Sequence, residues 1–243
     1  MTHDFTLPAG TDPHRLAATI RTFGIAHIPG HLSRTAAHTV AAQSRALLDV
    51  TAPWVAPLEY SVGRSVRADS TGLAEATEFA ALSSAFTDPY LKAAADAFMA
   101  PADYLFHHDL YVAYDIEGSH HFAHVLHYDR VPHLKFFLYL TDVRAETGPL
   151  LCVPGSHHFA VEAQADNRRV GITPTEEQTR LIPAEFHDRS VQILGVAGTL
   201  IAFTSDLLHS ATRITAGERL VVRNRCIEPR HLEAVQRTAA ATR

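Results

Sequence analysis

The chain has 243 residues, 47% of them hydrophobic and 19% charged, and carries a net charge of −5 with its histidines neutral. This composition suits a folded protein with a sizeable core and a length that one large domain can accommodate. It offers no basic surface for nucleic acid, and no run approaches the ~18 apolar residues a membrane helix requires.

Residues 1–12 read as a flexible or loosely docked lead-in. Leu16, Ile20 and Phe23 have helical spacing over 14–23, and the alternation of 24–30, closed by Pro29-Gly30, predicts a short strand and turn. Ser33 is a good N-cap for a helix from Arg34 to about Val50. Residues 51–72, with Pro53, Pro57 and Gly63, read as a solvated loop, or as a flap that offers Arg64 and Arg67 to a substrate. Residues 73–100 are Ala-rich and predict two helices broken at Asp88-Pro89.

From Asp103 the pattern changes to β. Strands are predicted at 104–116, 125–129, 134–141, 150–153, 191–194, 199–203 and 220–227, with no helical period between them apart from the 158–190 stretch. This predicts a mainly β fold with flanking α-helices, built on a mostly antiparallel two-sheet barrel. Residues 158–190 are polar and contain Pro174 and Pro183. They read as a lid-like insertion over the barrel mouth, helical near 175–181. One domain over 1–243 is expected, with a helical elaboration at about 12–100 and the barrel core at about 103–228. The tail after Pro229 is expected to be a short helix. Cys152 and Cys226 lie in apolar runs and read as buried free thiols, and no signal-peptide pattern opens the chain, so a cytoplasmic location is expected.

The chemistry centres on His127-Tyr128-Asp129. Residues i and i+2 of a strand face the same side, so His127 and Asp129 would project an imidazole and a carboxylate into one space. His209, far downstream, can add a second imidazole. Two His and one carboxylate on one side of a metal leave the other side open, the ligand set of non-haem Fe(II) oxygenases. A rival set is the crowd of His120, His121, His124, His127 and His133, in which His120 and His124 would share a helix face and could bind zinc. It lacks the Glu of His-Glu-x-x-His and the cysteines of a structural zinc site. His107 and His108 are ambiguous, since only one can face inward from a strand. His157 is expected to be structural.

The order of motifs adds to this. Gly148-Pro149-Leu150 and Pro154-Gly155-Ser156-His157 follow the His-x-Asp; then come Gly198-Thr199 to Phe203, His209, and Arg219 ten residues later. This order, over about residues 20–228, resembles the phytanoyl-CoA dioxygenase family of Fe(II)/2-oxoglutarate oxygenases. The resemblance implies a double-stranded β-helix (jelly roll, cupin-like) core and iron held by His127, Asp129 and His209. It also implies 2-oxoglutarate and O2 as co-substrates. Arg219 would take the far carboxylate of the keto acid, for which a planar guanidinium is suited, and Phe137 would pack against it. Arg223 and Arg225 share the strand face of Arg219 and could replace it, bind substrate or be solvated. The Ser and Asn that the family often places after the distal His are here Ala211 and Ile214, with Ser210 or Thr212 as substitutes.

The implied reaction is hydroxylation of an unactivated C–H bond of a small molecule, with succinate and CO2 formed. Related halogenases replace the carboxylate ligand with a small residue, whereas Asp129 is present here. Desaturation, epoxidation and ring formation use the same ligands. The competing readings are a cupin-like metal-dependent isomerase and a non-catalytic small-molecule-binding jelly roll, neither of which needs the Arg219 clamp. Arg64, Arg67, Arg144, Arg168 and Arg169 are compatible with an acidic substrate or with simple solvation.

Overall fold

The computed structural model describes residues 3–58, 63–106, 109–119, 125–129, 131–170 and 182–231. Strand β5 (His133–Tyr139) shows how the sequence sorts into layers. Leu134, Phe136 and Leu138 point into an apolar core, whereas Lys135, Phe137 and Tyr139 line a cavity on the other face. The longest strand, β10 (Glu218–Ile227), does the same: Leu220 and Val222 face the core, and Arg219, Val221, Arg223 and Arg225 face the cavity.

The larger sheet has seven antiparallel strands in the order β1-β8-β5-β10-β4-β3-β2. The others are β1 (Ile25–Ile28), β2 (Val55–Pro57), β3 (Arg64–Asp69), β4 (Asp109–Ile116) and β8 (Leu200–Thr204). The smaller sheet is β7-β6-β9, made of Val191–Ile193, Leu150–Cys152 and His209–Ala211. The sheets face each other across Ile25, Tyr139, Leu150, Ile193, Ile201 and Phe203. This is the expected antiparallel jelly-roll arrangement. Tyr139 joins the two layers: its hydroxyl donates to Ile193 O at 3.0 Å and accepts from Leu150 N at 3.0 Å.

Helices cover the outer face of the larger sheet. Helix α1 (Pro13–Phe23) starts on Asp12, whose carboxylate accepts from His14 N and Arg15 N, and ends at Gly24 in the left-handed conformation. Helix α2 (Arg34–Leu47) starts on Ser33 as expected and stops three residues before the expected end. Four short helices follow where two were expected: α3 (Ser70–Glu75), a 3-10 turn (Thr77–Phe79), α4 (Ala80–Phe86) and α5 (Pro89–Met99). Their apolar faces pack Leu73, Leu82, Phe86 and Leu91 against the sheet's Phe136, Val112 and Val222 in one cluster.

Several expectations change. The lead-in is docked, because Phe5 and Leu7 are buried and Thr6 bridges His27. Residues 55–57 and 64–69 are the last two strands of the larger sheet, not a loop, with 55–57 at its edge; Val66 and Ala68 are buried on the core side, which pins the register of the inner one. The 125–129 stretch forms a single bridge, His127 to His209, in place of a strand ladder. Among the described residues of the insertion, α6 (His157–Val170) and α7 (Glu185–Asp188) are helical; the expected helix at 175–181 lies outside the described residues. Phe159, Ala160, Ala163, Ile182 and Phe186 pack on Leu126, Tyr128 and Leu208. Those ends of the insertion thus lie behind the candidate metal ligands, and none of their described residues lines the cavity. Both cysteines are buried and free. Among the described residues, no helix is long and apolar enough to cross a membrane.

Candidate active site

The bridge between His127 and His209 is the seed of the site. Each backbone N–H donates to the other's carbonyl, at 3.0 and 2.8 Å, so the two residues are a directly opposed, hydrogen-bonded antiparallel pair. Opposed residues project to the same side, and the imidazole centroids stand 4.5 Å apart. Asp129 is set two residues further on, its N–H bonded to Ser205 O at 2.9 Å. One ligand atom from each of His127, Asp129 and His209 lies within 4.8 Å of the others.

The backbone also fixes which imidazole nitrogen is offered. His127 Nδ1 lies 2.7 Å from Val125 O and His209 Nδ1 lies 2.7 Å from Leu207 O. A carbonyl can only accept, so Nδ1 carries the proton and Nε2 is the nitrogen whose lone pair a metal would take. Burial pushes both imidazoles below their usual range, His209 furthest because the Lys135 ammonium adds to it, so they remain neutral ligands. Burial by itself would raise Asp129, but the Lys135 ammonium reverses this and holds its carboxyl well below the usual carboxylate range. Neutral imidazoles and an ionised carboxylate are the protonation states that a divalent metal requires.

The turn motif of the sequence supports this geometry. Ser156 Oγ accepts from Leu208 N at 2.9 Å, and Val153 N donates to Leu208 O at 3.0 Å, which locks the residue before His209. His157 is structural as expected, with Nε2 3.1 Å from Arg21 O. Gly24 allows this packing, since a Cβ there would lie 2.8 Å from His157 Nδ1.

Two neighbours of the triad were not assigned from sequence. The Lys135 ammonium contacts Asp129 Oδ2 and lies 3.4 Å from His209 Nε2, so it faces the same carboxylate oxygen as a metal would. His133 brings Nε2 to 3.7 Å from Asp129 Oδ2, and burial drives its pKa down to about 3. Alternation along β5 places both on the inner face, but only the folded position of the 125–129 segment reveals what they meet. Of the crowded histidines, His120, His121 and His124 lie outside the described residues, as do His107 and His108.

Arg219 lines the cavity and is held by Asp115, Nη2 to Oδ2 at 2.8 Å, and by Gly148 O. Gly148 has φ 78°, and a Cβ there would strike Ile214 Cγ1 at 2.6 Å, so the turn that presents this carbonyl requires glycine. Phe137 packs edge-on against Phe203, which in turn sits edge-on to His209. Arg223 and Arg225 also line the cavity, which overturns the solvated-face reading for them. Arg225 is clamped by both oxygens of Asp109, at 3.1 and 2.7 Å. Ser210 lines the cavity, whereas Thr212 Oγ1 donates to Pro149 O at 2.9 Å. The cavity measures about 380 Å³, within the ~300–1,000 Å³ usual for small-molecule sites.

Comparison with known proteins agrees with this architecture. The family model for phytanoyl-CoA dioxygenase (PhyH) matches residues 20–221. Among solved structures, the epimerase SnoN, in complex with Fe3+, alpha ketoglutarate and nogalamycin RO, has a TM-score of 0.63 at 22% identity, covering 89% of this chain and 83% of that one. The non-heme alpha ketoglutarate dependent carbocyclase SnoK has a TM-score of 0.56 at 18% identity, covering 87% and 82%. EctD from S. alaskensis, in its apoform, has a TM-score of 0.59 at 18% identity, covering 92% and 80%. At these identities the likeness is one of fold. No curated protein matches the sequence.

Proposed function

The chain belongs to the phytanoyl-CoA dioxygenase family, and on that premise we propose that it is an Fe(II)/2-oxoglutarate-dependent oxygenase that hydroxylates an unactivated C–H bond of a small-molecule metabolite. The observation that carries this reading is the triad: two Nε2 lone pairs and one ionised carboxylate converge, backed by buried backbone bonds, with one side open to a cavity. His127, Asp129 and His209 hold the metal. When bound, iron and O2 supply the oxidising chemistry, converting the keto acid to succinate and CO2.

The chain's own residues bind and orient. Arg219 takes the far carboxylate of 2-oxoglutarate, its guanidinium already aimed by Asp115 and Gly148 O. Phe137 supplies an apolar wall beside it. The apolar packing of Leu126, Tyr128 and Leu208 behind the ligands keeps water from their rear. Asp129 is a metal ligand here, which favours hydroxylation over halogenation. The names of SnoN and SnoK attach epimerase and carbocyclase activities to related folds, so the outcome at the substrate is set by its placement in the cavity.

The test is aerobic turnover of 2-oxoglutarate with Fe(II), read as succinate. Wild type is expected to release succinate slowly even without the primary substrate. Arg219→Ala should raise the 2-oxoglutarate KM by about tenfold or more. Succinate release with an unchanged KM in the variant would remove Arg219 from the keto-acid site. Metal binding with no succinate would favour the isomerase or binding-protein reading.

A further inference from the structure

Among the described residues, four cationic side chains line the cavity: Lys135, Arg219, Arg223 and Arg225. Three of them have a carboxylate. Lys135 meets Asp129, Arg219 meets Asp115, and Arg225 meets Asp109. Arg223 has none among the described residues. Its guanidinium instead lies over Tyr111, 4.6 Å from the ring centroid, and 5.8 Å from that of Phe137. Aromatic faces attract a cation but leave its charge uncancelled and its N–H donors open.

The charge balance continues to hold when the site is loaded. A divalent metal and a doubly charged keto acid cancel each other, and the three ion pairs remain neutral. Arg223 is left as one uncompensated positive charge in the lining. The strand register places it. Arg223 pairs with Tyr111 on one side and Phe137 on the other, one alternation from Lys135, which contacts the metal ligand Asp129. Arg67 of β3 pairs with Tyr111, so it stands on the same side of the sheet in the same cross-strand row. It is exposed, with no carboxylate partner among the described residues, at the end of that row remote from Phe137. Arg64, on the opposite face of β3, is by contrast paired with Asp49.

We infer that Arg223 is the substrate's anchor: the primary substrate is a small organic acid whose carboxylate is bound by Arg223, with its carbon skeleton against Tyr111 and Phe137. Arg67 draws it in at the rim. A single guanidinium with its faces against aromatic rings offers an edge, and a planar carboxylate is the anion that fits an edge with two parallel hydrogen bonds. Anchoring one row from the triad brings the skeleton's C–H bonds towards the metal's open side. This rests on the oxygenase reading, in which Arg219 and not Arg223 holds the keto acid.

The test uses the anaerobic Fe(II) protein saturated with 2-oxoglutarate. The probes are benzoate, cyclohexanecarboxylate, their uncharged amides, and phenyl phosphate, read by the shift of the visible band and by thermal unfolding. The carboxylates are expected to bind wild type and their amides to bind at least about tenfold more weakly. Arg223→Gln should abolish that preference while leaving the 2-oxoglutarate titration within about threefold of wild type. The inference is overturned if amides bind as well as acids, if no carboxylate binds, or if phenyl phosphate alone binds. It is also overturned if Arg223→Gln loses 2-oxoglutarate itself, for then Arg223 is the keto-acid clamp. Wild type showing no keto-acid band would instead defeat the oxygenase reading. The probe titration on the metal-loaded protein without keto acid would then still decide whether Arg223 selects carboxylates.

Discussion

Replacing Lys135 by Met tests the electrostatics at the centre of the site. Methionine keeps an unbranched apolar stem of similar length and removes only the charge. In the metal-free protein the Lys135 side chain is 6% exposed and its partner Asp129 26%. Removing one member of a buried ion pair typically costs ~3–5 kcal/mol, because the other charge is left without its partner. Asp129 is a quarter exposed and keeps neighbouring imidazoles, so about 2–3 kcal/mol is the expected loss. A divalent metal bound by the triad answers the same carboxylate and does so without a nearby ammonium to repel it. Metal at about 100 times its Kd contributes ~2.7 kcal/mol to any protein that binds it only when folded. The variant should bind metal more tightly than wild type and gain more at equal concentration. The assay is urea unfolding in EDTA and again in Mn(II). A variant as stable as wild type in EDTA, or one that gains no more than wild type from Mn(II), would refute the reasoning.

Tyr139→Phe should cost about 2–4 kcal/mol, from two buried hydrogen bonds lost and two backbone groups left unsatisfied where the sheets meet; a denaturation midpoint shift worth less than ~0.5 kcal/mol would show the hydroxyl to be dispensable. Acid sensitivity should come partly from His27, which burial pushes from 6.5 down to about 4. The folded ring stays neutral while the unfolded one protonates, so stability is full above about pH 6.5 and falls as pH drops towards 4. His27→Gln should flatten the pH dependence of the unfolding free energy in that window, by about 1–2 kcal/mol for this partly exposed ring. An unchanged slope would mean other groups set it.

The convergence of His127, Asp129 and His209 was legible because chemistry restricts such a set: a His-x-Asp with a distant His has few structural alternatives once Pro154-Gly155-Ser156-His157 stands between them. The folded chain explains that turn, through Ser156 and Leu208. The helix start at Ser33 was legible for an equally local reason. What the sequence hid is cross-strand. Arg219, Arg223 and Arg225 are equivalent by alternation, and only the register of β4 assigns Asp115 to the first and Asp109 to the last, leaving the middle one without a carboxylate among the described residues. Residues 55–57 and 64–69 read as a loop because Pro57 and the exposed arginines resemble loop composition, whereas pairing across β2, β3 and β4 makes them strands. Alternation along β5 puts Lys135 on the inner face, but its partner comes from a segment held by one bridge and by Ser205.

The central claim is tested most directly by titrating the metal-free protein with Fe(II) and 2-oxoglutarate under anaerobic conditions and following visible absorption. A weak charge-transfer band that needs both components, vanishes in His127→Ala and weakens in Arg219→Ala, is the expected result. Metal bound without any such band would contradict the account.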